Sequence, residues 1–187
     1  MALQNPSLKK IAEHYTNIWA STPSYFQWRK GPWQQLPDEF CVLEFPATNK
    51  SKMWTYATCG MSRQADSNKL ELHLFAPSQA HELIELLTVV AHYHLTGVYL
   101  GLGHTVNFGQ PWLTDSECEY GLLSHPYLDG PRLEYFELES DTIQFLWLIP
   151  IALAERNFKM IHGQEALEKQ FESQSFNYLD PLRKSVV

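Results

Sequence analysis

Residues 145–153 read Phe-Leu-Trp-Leu-Ile-Pro-Ile-Ala-Leu, nine positions without a polar side chain. No other feature limits the fold as strongly. The run is too short to cross a bilayer as a helix, which takes about 20 apolar residues. Together with residues 142–144 it lacks the alternation of a strand that wets one face. The segment 142–150 therefore predicts a central strand covered on both faces.

Other elements can be placed around that strand. In residues 6–20, Leu8, Ile11, Ala12, Tyr15, Ile18 and Trp19 recur at helical spacing. Asn5 is placed to cap this helix, with Pro6 at its first position. A second helix is predicted from a Ser78 cap to Gly97, with Glu82 and Glu85 at its positive end. Leu83, Leu86, Leu87 and Val90 line one side of it, and Ile84, Val89 and Tyr93 widen the apolar surface, so this helix should be well buried. Further strands are expected at 40–45, 53–58, 104–108, 119–124 and 133–138. In another, 70–75, Leu70, Leu72 and Leu74 alternate with Glu71, His73 and Phe75. Two short helices, 152–161 and 164–173, are separated by Gly163, and the tail 176–187 adds a strand or packs as an extended arm. Residues 21–39, broken by Pro23, Gly31, Pro32 and Pro37, read as irregular. Strands come in runs rather than in βαβ alternation. The fold class is therefore α+β: a single domain over 1–187 with a mixed, largely antiparallel sheet flanked by helices.

Of the 187 residues, 44% are hydrophobic and 19% charged, the balance of a folded chain rather than a disordered one. Fourteen basic against twenty-one acidic residues give a net charge of −7 with no long Lys/Arg run. This argues against nucleic acid as a partner and leaves a basic protein surface electrostatically welcome. No basic segment followed by an apolar run marks residues 1–6 as a signal peptide, and no segment predicts a membrane span. Cys41, Cys59 and Cys118 are odd in number and far apart, which points to reduced thiols and a cytoplasmic location.

Catalytic chemistry finds little support. His92 and His94, with His104 ten residues on, suggest a metal-dependent hydrolase as an alternative. Two positions on a helix are about 200° apart, however, and no His-Glu-x-x-His or paired Cys/His spacing accompanies them. Cys118 lies between Glu117 and Glu119, which disfavour a thiolate, and no Gly-x-Ser-x-Gly turn occurs. Asp115 and the two glutamates read as a solvated segment, and Asp129-Gly130 as a turn. Gly97, Gly101 and Gly103 precede a strand, not a phosphate-binding helix. No catalytic residue, metal ligand or cofactor is assigned. What remains are the aromatics Trp112, Tyr120 and Tyr127, read either as core or as binding anchors.

These aromatics lie in or beside two stretches, Gly-His-Thr-Val-Asn-Phe-Gly-Gln-Pro-Trp-Leu at 103–113 and Tyr-Gly-Leu-Leu-Ser-His-Pro-Tyr-Leu-Asp-Gly-Pro at 120–131. With Thr-Ile-Gln-Phe-Leu-Trp-Leu-Ile-Pro-Ile at 142–151, Ala154-Glu155, Gly163 and Phe-Asn-Tyr-Leu-Asp-Pro at 176–181, they resemble the suppressor of fused family, in particular its short bacterial members. The resemblance runs from about residue 70 to the C-terminus. It implies a non-catalytic protein-binding domain. Animal members grip an extended peptide of a transcription factor by strand addition between two domains, and this chain has length for the first alone. Those members carry an acid after the glycine of their Gly-Asp-His-Val segment, where this sequence has Gly103-His104-Thr105-Val106. The transcription-factor role is therefore not carried over. Bacterial members look like immunity proteins, which implies a toxin or an extended peptide segment as partner. The segment at 103–113 joins a glycine-rich approach to a lone polar pair and a Pro-Trp corner, and it aligns with the family's peptide-contacting region. His104, Asn107 and Trp112, with Tyr93 on the nearby helix, are expected to line an exposed groove or sheet edge, with Trp112 as the hydrophobic anchor.

Overall fold

The computed structural model describes residues 3–49, 51–63, 69–97 and 99–187; the first two residues of the N-terminal reading lie outside them. Helix α1 (Pro6–Trp19) is followed by strands β1 (Ser24–Phe26), β2 (Cys41–Phe45) and β3 (Trp54–Cys59), a 3-10 turn (Met61–Arg63), and β4 (Leu70–Ala76). Helix α2 (Glu82–Thr96) leads to β5 (Thr105–Asn107), β6 (Tyr120–Ser124), α3 (Pro131–Glu134), β7 (Tyr135–Leu138) and β8 (Asp141–Ile151). Helices α4 (Leu153–His162) and α5 (Gln164–Ser173) close the order. The strands make one mixed sheet, β1-β2-β3-β4-β8-β6-β5, with β7 pairing to β8 off this path. Among the described residues only β4 and β8 run parallel; the other pairs are antiparallel. The α+β expectation therefore holds, and β8 is the central strand that its apolar run predicted. Trp147 pairs with His73 of β4 on one side and Ser124 of β6 on the other.

Alternation along β8 divides the core. Leu146 and Leu148 join Leu70, Leu72 and Leu74 under α2. Phe145 points the other way, against α1, while Trp147, Ile149 and Ile151 meet α5 through Leu167 and Phe171. Asn5 caps α1 as expected, its Oδ1 accepting the Ser7 and Leu8 amides at 2.9 and 3.4 Å. Helix α2 starts later than expected, with His81 rather than Ser78 at the cap position. Residues 21–39 contain the short β1, and the start of 133–138 is helical in α3. The tail adds no strand; it packs as an arm that buries Arg183.

The face of β4 that carries Glu71 and His73 is not solvated: all seven residues of the strand are buried. Glu71 sits there because five donors surround it. The Thr58 hydroxyl lies at 2.6 Å, the Gly60, Met61 and Ser62 amides at 2.9, 3.3 and 3.0 Å, and the Ser62 hydroxyl at 2.7 Å. A buried carboxylate is tolerable only with such compensation.

His73 is fully buried, and burial pushes its pKa down to about 3 from an ordinary 6.5. Its Nε2 lies 3.6 Å from Asp129 Oδ2, while Asp129 Oδ1 accepts the Trp19 indole N–H at 2.8 Å. Below pH 6.5 the unfolded chain takes up a proton that the folded chain refuses. Stability should thus fall by about 1.4 kcal/mol per unit from pH 6.5 toward pH 3. Burial raises the Asp129 pKa, which works in the opposite direction at the acid end. Urea unfolding at pH 7 and pH 5 measures the slope, and His73→Leu should flatten it. An unchanged slope in that variant would assign the pH dependence to other groups.

Candidate functional site

Strand β5 is an edge of the sheet, paired with β6 alone. The ladder shows which backbone groups it leaves over. The His104 carbonyl accepts the Leu123 amide at 2.9 Å, and the Phe108 amide donates to the Glu119 carbonyl at 2.9 Å. Even-numbered positions therefore face β6. The N–H and C=O of Thr105 and Asn107 face outward, as a template for a further strand. Neither charge nor proline blocks this edge, since residues 105–107 are Thr-Val-Asn.

Alongside the edge runs a groove of about 570 Å³. One wall is α2, through Glu85, Val89 and Tyr93; the other is β5, through Thr105, Val106, Asn107 and Phe108. Tyr120 and Arg156 contribute to it from β6 and α4. The Arg156 guanidinium lies 5.9 Å from the Tyr120 ring, and the Asn107 amide donates to the Tyr120 hydroxyl at 3.5 Å. Asn107 Oδ1 is held by the Gly109 amide at 2.7 Å. The groove thus offers aromatic surface with one acid and one base beside an open ladder. Gly121 is what lets the Phe108 ring lie flat on the sheet. A Cβ there would come within 2.6 Å of Phe108 Cζ and 2.5 Å of Leu148 Cδ1.

The four residues expected at this site divide. Tyr93, 43% exposed, and Asn107 both line the groove. His104 is exposed but does not line it; it closes the turn that leads into β5, its amide donating to Gly101 O at 3.0 Å. Trp112 departs from expectation. It is 2% exposed and lies in the core under α2, so it is not a surface anchor. The loop between β5 and β6 folds back on itself. The Trp112 amide bonds Cys118 O at 3.0 Å, and its indole N–H bonds Ser116 Oγ at 3.0 Å. Local punctuation by Gly109 and Pro111 announces a loop, but not that the loop closes over its own tryptophan. Phe108 and Arg156 were not singled out, and Tyr120 was read as core or anchor without a place at this groove, because β6 and α4 join β5 there only in the tertiary fold.

Helix α2 sends His92 and His94 to different surroundings. His92 Nε2 meets Gln35 Oε1 at 2.6 Å, whereas the buried His94 Nδ1 accepts the Leu100 amide at 2.9 Å. Among the described residues no group of three or more His, Cys, Asp or Glu could hold a metal ion. The three cysteines are unpaired and buried, and burial raises the Cys118 thiol pKa. No helix among the described residues is long and apolar enough to cross a membrane.

A model of the suppressor of fused protein family matches residues 37–184. The fold is similar to that of a suppressor of fused homolog from Neisseria gonorrhoeae, with 29% identity and a TM-score of 0.84 over 98% of this chain and 96% of that one. It is also similar, at 15% identity, to a chain of the Sufu–Fu complex, with a TM-score of 0.71 over 97% of this chain and 92% of that one. Drosophila Suppressor of Fused matches at 15% identity and a TM-score of 0.70, and 97% of this chain corresponds to 51% of the fly chain. No curated protein shows a significant sequence match.

Proposed function

We propose, since this chain belongs to the suppressor of fused family, that residues 1–187 act as one non-catalytic protein-binding domain. In this reading the β5 edge and the groove beside it take up an extended segment of a protein partner. The observation that carries it is the outward-facing backbone of Thr105 and Asn107 next to the aromatic groove. Strand addition draws affinity from main-chain hydrogen bonds and specificity from adjoining side-chain pockets. Tyr93, Phe108 and Tyr120 would supply those pockets.

The partner in this reading is a toxin, and the protein its immunity factor. The net charge of −7 supports that role by favouring encounter with a basic toxin. Three unpaired thiols support a cytoplasmic site of action. Among the described residues no group favours a metal-dependent hydrolase.

Thr105→Pro tests the edge. Proline there removes an outward N–H and leaves the ladder to β6 in place, so the fold should survive. Co-expression with a toxin found encoded beside the gene should yield a stable complex and restore growth. Thr105→Pro should weaken that complex by at least about tenfold, about 1.4 kcal/mol, with a melting temperature close to that of the parent. A folded Thr105→Pro protein that binds as tightly as the parent would overturn strand addition. A toxin that neither binds nor is neutralised would overturn the immunity role.

A further inference from the structure

A second cavity, of about 360 Å³, opens on the sheet face opposite α2. Its floor is Trp147 and Ile149 of β8, both buried, and one wall is Phe171 of α5 with Phe176 behind it. Phe176 offers only its edge, because Phe171 stacks on one face at 4.1 Å and the Arg183 guanidinium covers the ring at 4.5 Å. Across the cavity stands Tyr127, 59% exposed, on the loop after β6. Glu168 and Glu172, one turn apart on α5, complete the lining.

Glu168 is held in a set orientation. Its Oε1 accepts the Gln164 amide at 2.7 Å, the Ser124 hydroxyl at 3.2 Å and the Tyr127 hydroxyl at 3.5 Å. All three donors are neutral, and they converge on one oxygen. No ion pair among the described residues involves Glu168 or Glu172. Arg183 pairs with Glu155, and Lys169 with Glu165 at 2.8 Å, although Lys169 also feels the charge of Glu172. The result is a hydrocarbon slot that ends at an oriented carboxylate without a counter-charge.

We propose that this cavity receives a lysine or arginine side chain of a protein partner. Such side chains bury an apolar stem and keep a cationic tip, which matches Ile149, Trp147 and Phe171 below and Glu168 and Glu172 at the mouth. The net charge of −7 favours a basic partner in the same sense. That a protein supplies the cation rests on the protein-binding reading above; the cavity chemistry does not.

The test is an NMR titration of the ¹⁵N-labelled full chain with end-blocked Gly-Gly-Arg-Gly-Gly, its lysine counterpart, and the same peptide carrying uncharged citrulline. The basic peptides should shift the amides of Ser124, Glu168 and Phe171 saturably, and the citrulline peptide should bind at least about tenfold more weakly. Glu168→Gln should reproduce that loss, and raising the salt should weaken the basic peptides alone. Thr105→Pro should leave this titration unchanged, so the β5 edge and this cavity fail or stand separately. Equal binding of the citrulline peptide, or no saturable shift at these amides, would overturn the proposal without relying on any variant. Tetramethylammonium binding as tightly as the peptides would overturn it too, by making this a site for a small free cation.

Discussion

Arg183→Ala is expected to destabilise the fold by about 3–5 kcal/mol, the loss seen when one partner is removed from a buried ion pair. Glu155 is fully buried, and Arg183 grips it with its two terminal guanidinium nitrogens, Nη1 to Oε1 at 2.6 Å and Nη2 to Oε2 at 2.8 Å. The same Nη2 donates to Pro150 O at 2.9 Å, at the end of β8. Glu155 in turn accepts the Ala152 amide at 2.7 Å and the Val186 amide at 3.1 Å. One ion pair therefore ties the central strand, the start of α4 and the C-terminal arm together. Removing the guanidinium leaves a carboxylate stranded in the interior, where the amide donors that remain do not neutralise it. Denaturant unfolding of the purified variant measures the loss. A change below about 1 kcal/mol would mean that the arm is solvated and the pair exposed. Replacing both partners by apolar residues should cost less than Arg183→Ala alone, because no charge is then left buried.

Leu148→Ala should cost about 2–5 kcal/mol, as should Leu146→Ala and Leu87→Ala. All three side chains are fully buried and meet in the core between the sheet and α2. Leu148 carries a further consequence. Its Cδ1 and the Phe108 ring both crowd the space above Gly121. A cavity at Leu148 lets Phe108 sink inward, so partner binding at the β5 groove should weaken along with stability. Calorimetric or denaturant midpoints test the first effect, and affinity measured on the remaining folded protein tests the second. A loss under about 0.5 kcal/mol at all three positions, the range of surface sites, would mean that the strand and helix faces are misassigned.

Local periodicity was enough to place α1, α2 and β8, because each satisfies its own pattern within a dozen residues. The Asn5 cap and the two-residue offset of His92 and His94 follow from helix geometry in the same way. The apolar run at 145–153 also carried the central position of β8, since covering both faces of a strand requires neighbours on each side. Tyr93 and Asn107 were legible as groove residues from two signs together, the glycine-rich approach and Pro-Trp corner around 103–112 and the resemblance that aligns this segment with a peptide-contacting region.

The remaining features depend on pairings between residues far apart in the chain. Alternation in β4 does not tell that Glu71 and His73 are buried; they are, because the turn after β3 brings donors to Glu71 and because His73 stays neutral. The aromatic at 112 could be core or anchor from its neighbours alone. The return of its loop from β5 to β6, closed by the bond between the Trp112 amide and Cys118 O, makes it core. Nothing near Arg183 in sequence names Glu155, 28 residues away, as its partner. Nor does anything near Glu168 name the floor of Trp147 that it overlooks. Periodicity reports which side of an element is apolar. Which elements share that side, and which polar group is left facing a cavity, is decided only when strand order and helix docking bring distant residues together.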